Sequence, residues 1–356
     1  MDTIVIGGGQ SGLAATRALL DAGLSPVLLG AAPRATGSWP HYYDSLTLFS
    51  PARYSSLPGM PFPGDPDRHP RRDEVVDYLS RYATDLLQRG ADIRTSTRVD
   101  AVQTGGRGFA VHAADGTTFT APGVIAASGS FASPHLPELP GREDFPGKIL
   151  HAADYTAPTS YAGERIIVVG AGNSAVQIAH ELAEVATVTL ATREPIRFVA
   201  QRPLGRDLHF WLAVTGFDRF PARLVRDPPA VPVLDAGAYR RALRERRMDR
   251  RPMFTRFEHD QVIWQDGARE HADVVIFATG YRPDLRYLEK LGALDAGGHP
   301  RHAGGLSTTH PGLAYLGLEW QRTPSSNTLR GVGRDARSLA RKLRAHCLAR
   351  RAPVDG

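Results

Sequence analysis

Two glycine-rich turns of the same design, one at the start of the chain and one near its middle, constrain the fold more than any other feature. The first turn, Gly7–Gly12, matches G-x-G-x-x-G and follows Thr3–Ile6, a β-branched run that predicts a short buried strand. A helix is predicted over Leu13–Leu20 and a second strand over Val27–Leu29. Together these elements predict a parallel βαβ unit.

The glycines of such a turn have separate physical tasks. The first permits the tight bend, the second lets the backbone approach a pyrophosphate, and the third lets the helix lie close to the strand. The helix N-terminus attracts the negative phosphates. The turn is therefore predicted to bind a dinucleotide, and two such turns in this order favour FAD at the first and a nicotinamide nucleotide at the second. The turn residues predicted to contact FAD are Gly7, Gly9, Gln10, Ser11 and Gly12.

The second turn, Gly170–Gly172, lies between a predicted strand, Arg165–Val169, and a predicted helix, Asn173–Ala186. The next predicted strand, Thr187–Leu190, leads to a threonine followed by an arginine. A hydroxyl beside a cation, with no carboxylate, suits a 2′-phosphate and favours NADPH over NADH, although an arginine that only faces solvent gives the same pattern. The residues predicted to contact NADPH are Gly170, Gly172, Asn173, Ser174, Thr192 and Arg193.

The first unit lacks the acidic residue that commonly binds the adenine ribose. Its second strand ends at Gly30, where that carboxylate is expected. The ribose contacts are therefore expected from the backbone or from neighbours such as Arg34, and the sequence does not identify them.

The repeated unit indicates how the domains are arranged. Two further buried strands, Val124–Ala127 and Val274–Phe277, each run into small residues, which suits a chain that passes between domains. We predict an α/β fold of two Rossmann-like dinucleotide-binding domains, with the NADPH domain inserted in the FAD domain. The predicted ranges are 1–160 and 276–356 for the FAD domain and 161–275 for the NADPH domain. Helices are also predicted over Asp73–Leu87 and Val332–Ala349.

Composition excludes several kinds of chemistry. The 356 residues include one cysteine, so a dithiol relay of the thioredoxin-reductase type and a cysteine cluster for a metal are both excluded within one chain. His299, His302 and His310 match no zinc spacing, so no metal is expected. Because no apolar run reaches about 18 residues and the start does not resemble a signal peptide, we expect a cytoplasmic protein with no membrane segment.

The charge balance does not point to nucleic acid. The net charge is +6, and an arginine-rich stretch over 240–251 suits either an anion-binding face or a solvated helix. No nucleic-acid motif and no repeated aromatic residues accompany it, so nucleic acid is not an expected partner. Nothing in the sequence predicts the oligomeric state.

The segment immediately before the second glycine turn resembles a known family. Phe145, Gly147, His151 and Tyr155 match F-x-G-x-x-x-H-x-x-x-Y, the fingerprint of the class B flavoprotein monooxygenases. A tyrosine at the last position is closer to the flavin-containing and N-hydroxylating branches than to the Baeyer-Villiger enzymes. The resemblance implies that this linker coordinates the domains rather than supplying an acid or a base. A histidine that makes only a structural hydrogen bond fits His151 equally well.

Two other segments are similar to those branches. Gly37-Ser38-Trp39 resembles their flavin-contacting loop after the second strand, and Ala278-Thr279-Gly280-Tyr281 resembles their segment after a later strand. The resemblance implies cofactor contacts from Ser38, Trp39, Thr279, Gly280 and Tyr281.

The similarity is closer still to the small bacterial flavin monooxygenases of arsenic-resistance operons, sometimes called ArsO-like. The similar segments include 38–46, 61–66, 201–207 and 317–322, and together they cover most of the chain. The resemblance implies that NADPH reduces FAD and that molecular oxygen adds at flavin C4a to give a peroxyflavin. One oxygen atom then passes to a small soft nucleophile such as an arsenical, a sulfide or an amine.

The chain departs from the animal-type members at one position near the flavin. Phe49 stands where they have an asparagine, so NADP, Asn173 or Ser50 is left to hydrogen-bond the peroxyflavin. Phe49 is expected either to line the substrate pocket or to be ordinary core. The predicted catalytic residues are Phe49, Ser50 and Asn173.

Two other functions fit the same motifs. An NADPH oxidase or quinone reductase has the same cofactors but transfers no oxygen to a substrate. A flavin-binding redox sensor would hold FAD without being reduced by NADPH. Coupled oxygenation of a substrate distinguishes the monooxygenase from both.

Overall fold

The structure is a computed structural model that describes residues 1–106, 108–131, 133–226 and 231–350. The α-helices in these ranges are α1 (Gln10–Asp21), α2 (Arg72–Gln88), α3 (Asn173–Leu182), α4 (Leu208–Val214), α5 (Ala238–Arg244) and α6 (Leu329–Ala349). The β-strands are β1 (Thr3–Ile6), β2 (Pro26–Leu29), β3 (Asp92–Arg94), β4 (Val99–Gly105), β5 (Gly108–Ala113), β6 (Thr118–Ala121), β7 (Gly123–Ala126), β8 (Ser133–Pro134), β9 (Lys148–His151), β10 (Arg165–Val169), β11 (Thr187–Thr192), β12 (Phe198–Ala200), β13 (Val233–Asp235), β14 (Asp249–Pro252), β15 (Arg256–Glu258), β16 (Gln261–Ile263), β17 (Arg269–His271), β18 (Val274–Phe277), β19 (Tyr281–Arg282), β20 (His302–Ala303), β21 (Leu306–Ser307) and β22 (Leu313–Tyr315).

The first sheet has seven strands in the order β20-β21-β22-β7-β1-β2-β3. Its five strands from β22 to β3 are parallel, and β21 and β20 add an antiparallel edge. Helices α1, α2 and α6 bury one face, and the β4–β6 meander covers the other with Phe109 and Phe119. Because β20–β22 follow the second glycine turn in sequence, the chain returns to this sheet after leaving it at β7.

The second sheet repeats this three-layer design. Its five strands are all parallel, in the order β14-β11-β10-β18-β9. Helices α3 and α5 bury one face, and the β15–β17 meander covers the other with Phe257 and Trp264. The predicted α/β fold of two Rossmann-like units is confirmed. The sheet includes β9, which lies inside the range 1–160 predicted for the first domain.

Three helices differ from their predicted ends by more than one residue. The first begins at Gln10 rather than Leu13, because Gly7–Gly9 complete the bend. The second, α3, ends at Leu182 rather than Ala186, since Val185 N–H turns back to the Leu182 carbonyl at 3.0 Å. The last, α6, begins at Leu329, three residues before the predicted start.

The early start of α6 has a consequence for Gly331-Val332-Gly333. With the helix predicted to begin at Val332, these residues are expected at its start, where free N–H groups would face an anionic partner. In the structure the N–H groups of Gly331 and Val332 donate to the Thr328 carbonyl at 3.1 and 3.0 Å. That expectation is wrong, and the glycines are needed for close packing instead. A β-carbon at Gly331 would lie 1.9 Å from the Ser325 carbonyl oxygen.

Candidate functional site: two dinucleotide cradles and the linker between them

The first glycine turn is built from close backbone contacts. Gly7 has φ +119°, and a β-carbon there would lie 2.4 Å from the Ala127 carbonyl oxygen. A β-carbon at Gly12 would lie 1.8 Å from the Gly7 carbonyl oxygen. Helix α1 begins after Gly9 with no side-chain cap, so its first-turn N–H groups face outward from the turn without intrahelical partners. The turn therefore has the geometry of an anion cradle.

Gln10 ties this turn to two other segments. Its Oε1 accepts from Trp39 Nε1 at 3.1 Å, and its Nε2 donates to the Asn327 carbonyl at 2.8 Å, next to the start of α6. Ser38 Oγ lies 3.3 Å from Tyr42 OH. The predicted cofactor residues Gln10, Ser38 and Trp39 are thus brought together beside the turn.

Ser11 and the residues around the predicted ribose position, Gly30 and Arg34, make contacts within the protein itself. Ser11 is buried, and its Oγ lies 2.1 Å from where a β-carbon of Gly317 would be. At the end of β2, a β-carbon on Gly30 would lie 3.4 Å from the Gly8 Cα, so a side chain there would press on the turn. Arg34 donates to Ser80 Oγ at 2.8 Å. The close approach of the turn therefore gives a steric reason for glycine at residue 30, where the ribose-binding carboxylate is expected.

The second turn has the same form with more open space. Gly170 has φ +144°, and its β-carbon would lie 2.5 Å from the Ala278 carbonyl oxygen. A β-carbon at Gly172 would meet nothing within 4 Å, and helix α3 also begins without a side-chain cap. Ser174 is exposed in its first turn. The backbone at Gly172 is thus open to a ligand.

The Asn173 amide makes two hydrogen bonds to the chain itself. Its Nδ2 donates to the Pro232 carbonyl at 3.1 Å, and its Oδ1 accepts from the Leu234 N–H at 3.2 Å. These bonds hold β13 against the second turn.

At the end of β11 the structure places an arginine that the sequence did not single out. Thr192 is buried, and its Oγ1 accepts from Arg250 Nε at 2.8 Å. Parallel pairing of β11 with β14 brings the two together, with Leu190 opposite Arg250. Arg193 follows directly and is exposed. Arg250 therefore contacts the Thr192 hydroxyl, and the arginine-rich run over 240–251 was the only sequence signal for it.

His151 connects the linker to the segment that follows β18. Its Nδ1 accepts from the Ala153 N–H at 3.0 Å, which leaves Nε2 protonated to donate to the Gly280 carbonyl at 3.0 Å. The ring is 1 % exposed, and this burial lowers the pKa of His151 below its usual 6.5. The ring is therefore neutral with both nitrogens engaged, which suits positioning rather than proton transfer.

The segment after β18 makes further contacts close to His151. Strands β8 and β19 pair antiparallel, with Tyr281 opposite Pro134. Thr279 Oγ1 donates to the His135 carbonyl, and Gly280 has φ +80°. The predicted residues Thr279, Gly280, Tyr281 and His151 thus form one cluster.

The other fingerprint residues lie in separate cores. Phe145 packs on Phe257 with ring centroids 5.0 Å apart, and a β-carbon on Gly147 would lie 2.6 Å from that same Phe145 ring. Tyr155 is fully buried, 6.1 Å from the ring of Tyr43. These residues shape the linker and do not line an open site.

A row of aromatic rings joins the first turn to the linker. The centroid distances are 5.5 Å from Trp39 to Tyr42, 6.0 Å from Tyr42 to Phe131, 5.3 Å from Phe131 to Tyr281 and 4.8 Å from Tyr281 to His151. Burial raises the pKa of Tyr281 to about 12, so its hydroxyl remains protonated at neutral pH. Tyr42 and Phe131 were not predicted as site residues, because each meets its neighbours only through tertiary folding.

Phe49 and Ser50 lie where the two units meet. Phe49 is 36 % exposed, stacks on His209 at 6.1 Å, and its carbonyl accepts from Gln201 Nε2 at 3.1 Å. Ser50 is buried, with its Oγ 2.9 Å from Ser55 Oγ. The buried His209 ring has its Nδ1 2.8 Å from Asp207 Oδ1. Sequence reasoning missed His209.

Comparison with known proteins now gives the family. Residues 4–211 match the family model described as pyridine nucleotide-disulphide oxidoreductase. The chain belongs to that family. An uncharacterized CzcO-like oxidoreductase from Geobacillus kaustophilus is 31% identical, with 97% of this chain and 99% of that protein covered. A flavin-containing monooxygenase structure from Stenotrophomonas maltophilia is 34% identical with a TM-score of 0.85, covering 97% of this chain and 98% of the other. The probable indole-3-pyruvate monooxygenase YUCCA8 of Arabidopsis thaliana is 26% identical over 80% of this chain and 75% of that protein.

These relationships place the chain among the flavin-dependent monooxygenases of this oxidoreductase family. With one cysteine, the chain has no dithiol of its own for the disulphide chemistry in the family's name. Among the residues that the structure describes, no three histidine, cysteine or acidic side chains are arranged as metal ligands. In the same part of the chain, no helix combines the length and apolar character needed to cross a membrane.

Proposed function

We propose that this oxidoreductase is an FAD- and NADPH-dependent monooxygenase that transfers one atom of molecular oxygen to a small soft nucleophile. The observation that carries the proposal is the pair of glycine cradles, each at the uncapped start of a helix on its own parallel sheet. The monooxygenase names of its relatives support it.

The residues present fit both cofactors. Helix α1 begins at Gln10 without a side-chain cap, which leaves its first-turn N–H groups open to a pyrophosphate, and the loop held by Gln10 and Trp39 adjoins them, as FAD requires. At the second turn the open face of Gly172 and the positive charge beside Thr192 suit NADPH. When bound, the flavin supplies hydride acceptance from NADPH and oxygen activation.

The side chains orient the reactants and exclude water. His151 fixes the linker to Gly280, and the aromatic row from Trp39 to Tyr281 provides an apolar path from the first cradle to the linker. Asn173 acts as a positioning residue, since its amide holds β13 at the second turn. Phe49, with a third of its surface open, is proposed to wall the substrate pocket, and Ser50 supports it through Ser55. A dry, shaped pocket protects reactive oxygen species from water.

The substrate is proposed to be a sulfide, an amine or an arsenical. Each has a lone pair that accepts an electrophilic oxygen atom. Several relatives that are 25–27% identical to this chain are named indole-3-pyruvate monooxygenases, two of them as probable ones, and indole-3-pyruvate is an organic acid.

The test is rapid mixing of the FAD-loaded protein with NADPH without oxygen, followed by oxygenated buffer. We expect NADPH to bleach the flavin, and a transient spectrum distinct from oxidised and reduced flavin to follow and to decay faster with substrate. Direct return to oxidised flavin with stoichiometric peroxide, with and without substrate, would instead identify an NADPH oxidase or quinone reductase. Failure of NADPH to bleach the flavin would identify a flavin-binding sensor.

A further inference from the structure

A cavity of about 230 Å³ lies between the start of α6, the loop after Phe49 and the segment after α4. The residues that define its character are Arg53, Tyr54, Asp218, Arg219, Arg330 and Arg334. Four cations therefore line this cavity with one carboxylate. The volume lies below the roughly 300–1,000 Å³ of pockets for drug-sized ligands, so only a small molecule or one end of a larger one fits.

Asp218 holds two of the four arginines in place. Its carboxylate accepts from Nε and Nη2 of Arg330, each at 3.0 Å, and the pair is largely buried. Its backbone carbonyl accepts from Nη2 of Arg334 at 3.1 Å, and Ser325 Oγ accepts from the same nitrogen at 2.8 Å. The single carboxylate is therefore already occupied, and the two guanidinium groups are fixed at the cavity wall.

The other two arginines of the cavity, Arg53 and Arg219, are exposed. Arg53 pairs with the exposed Asp67 at 2.8 Å, and Arg219 makes no ion pair with any residue that the structure describes. Burial, together with the nearby cations Arg219 and Arg330, lowers the pKa of Arg334. One carboxylate, Asp218, does not neutralise four guanidinium groups, so a further anion among them would offset their mutual repulsion. The planar guanidinium fork matches a carboxylate or a phosphate, since two parallel N–H···O bonds form with either.

The cavity adjoins the proposed substrate pocket. The ring of Tyr54, which lines the cavity, stacks on His209 with centroids 6.2 Å apart. The ring of Phe49 stacks on the same histidine at 6.1 Å. The start of α6 adds the positive end of its dipole beside Arg330.

We propose that this cavity binds the carboxylate of the substrate, so that the oxygenated molecule is a small organic acid whose nucleophilic atom extends toward Phe49. This inference rests on the proposed monooxygenase function, because it names the substrate class of the same site. The arginines supply binding and orientation, and no step of the chemistry passes through them.

The test measures binding separately from oxygenation. The full-length, FAD-loaded protein is titrated by calorimetry, without NADPH, with methylthiopropanoate, with its uncharged methyl ester and with inorganic phosphate. The variant is Arg219→Met, because the Arg219 side chain makes no ion pair whose loss would unfold the wall. The matched control is Arg223→Met, an exposed arginine four residues away that does not line the cavity.

We expect the acid to bind at least about tenfold more tightly than its ester, since a charge-assisted hydrogen bond is lost in the ester. Arg219→Met should remove about tenfold of that affinity, and Arg223→Met should leave it unchanged. Equal affinities for acid and ester, or an acid affinity unaffected by Arg219→Met, would overturn the inference. Phosphate that binds as tightly as the acid with the same dependence on Arg219 would also overturn it, by showing a site for inorganic oxyanions.

A second measurement separates this inference from the proposed function. With NADPH and oxygen, the acid should be converted to its sulfoxide with a kcat/KM about tenfold above that of the ester, and Arg219→Met should abolish the difference. One oxygen atom enters the sulfoxide, and the other is reduced to water by the two electrons that NADPH supplies. If neither compound is oxygenated while the acid still binds through Arg219, the carboxylate site stands and the monooxygenase proposal fails. If both are oxygenated equally, the monooxygenase proposal stands and the carboxylate site fails.

Discussion

At the scale of single residues, the positive charge at the end of β11 is proposed to select NADPH over NADH. Thr192 Oγ1 holds Arg250, and Arg193 is exposed beside them. We expect Arg193→Ala to lower kcat/KM for NADPH by about 10- to 100-fold while kcat/KM for NADH changes little, because a charge-assisted bond to the 2′-phosphate is lost. Steady-state flavin reduction with each nucleotide measures the ratio. Arg269→Ala, an exposed arginine on the β15–β17 meander, is the control. An unchanged ratio would show that Arg193 only faces solvent.

His151 gives a second residue-scale prediction, on stability against pH. Its folded pKa is lowered by burial, so as the pH falls through 6.5 the unfolded chain takes up a proton before the native protein does. The free energy of unfolding therefore falls on acidification. We expect His151→Gln, which cannot titrate, to lose less stability than the unsubstituted protein between about pH 7.5 and about pH 5.5. Urea unfolding at both pH values measures this.

The other histidines with lowered pKa values do not confuse the comparison. His180, His302 and His346 are present in both proteins, so their contributions cancel. At neutral pH the His151→Gln variant should be less stable by about 1–2 kcal/mol, because at least one buried hydrogen bond is altered. Identical pH slopes for the two proteins would contradict a buried neutral imidazole.

At the scale of elements, the two glycine turns differ in what a side chain would meet. Gly172 has φ −89°, which any residue adopts, and its β-carbon would meet no protein atom within 4 Å. We expect Gly172→Ala to leave the melting temperature and the FAD content unchanged but to raise the KM for NADPH about tenfold, because the methyl group occupies the approach of the pyrophosphate. Thermal melting and NADPH titration of the flavin reduction rate measure these effects.

Gly12→Ala is the contrasting variant at the first turn. Its β-carbon would lie 1.8 Å from the Gly7 carbonyl oxygen, so strand and helix would have to separate. This variant should lose FAD and stability together. If Gly172→Ala instead loses stability as Gly12→Ala does, then the second turn is closed by protein packing and is not open to a ligand.

The elements also show what the sequence predicts and what it does not. Both βαβ units follow from glycine spacing and hydrophobic runs, because each is formed by residues close along the chain. Thr192 meets Arg250 only through the β11–β14 register, across 58 residues, and Phe49 meets His209 only where the two units touch. The predicted start of α6 at Val332 was wrong because the glycine before it was taken as a helix boundary. In the structure Gly331 lies inside the helix and allows close packing. Such contacts depend on tertiary structure and have no local pattern.

At the scale of the whole molecule, the chemistry depends on how the two sheets are held against each other. The segment after Trp39 reaches α3 of the second unit, where Tyr43 OH donates to Gln177 Oε1 and Ser45 Oγ donates to Glu181 Oε2 at 2.8 Å. Strand β8, which precedes the second unit, also pairs with strand β19, which follows it. Hydride transfer needs the reacting atoms about 3–3.5 Å apart, and a misplacement of about 1 Å costs up to about 100-fold in rate. These contacts are therefore expected to matter for rate more than for affinity.

The double variant Tyr43→Phe/Ser45→Ala tests this expectation, because it removes both hydroxyls and leaves both cradles intact. We expect the rate of flavin reduction at saturating NADPH to fall about tenfold, with the KM for NADPH and the FAD content unchanged. Anaerobic stopped-flow reduction measures the rate, and Thr84→Ala, which removes an exposed hydroxyl on α2, is the matched control. A reduction rate equal to that of the control would mean that the linker around His151 holds the two units in register without this contact. A rise in KM alone would place the effect on nucleotide binding rather than on the alignment of the two domains.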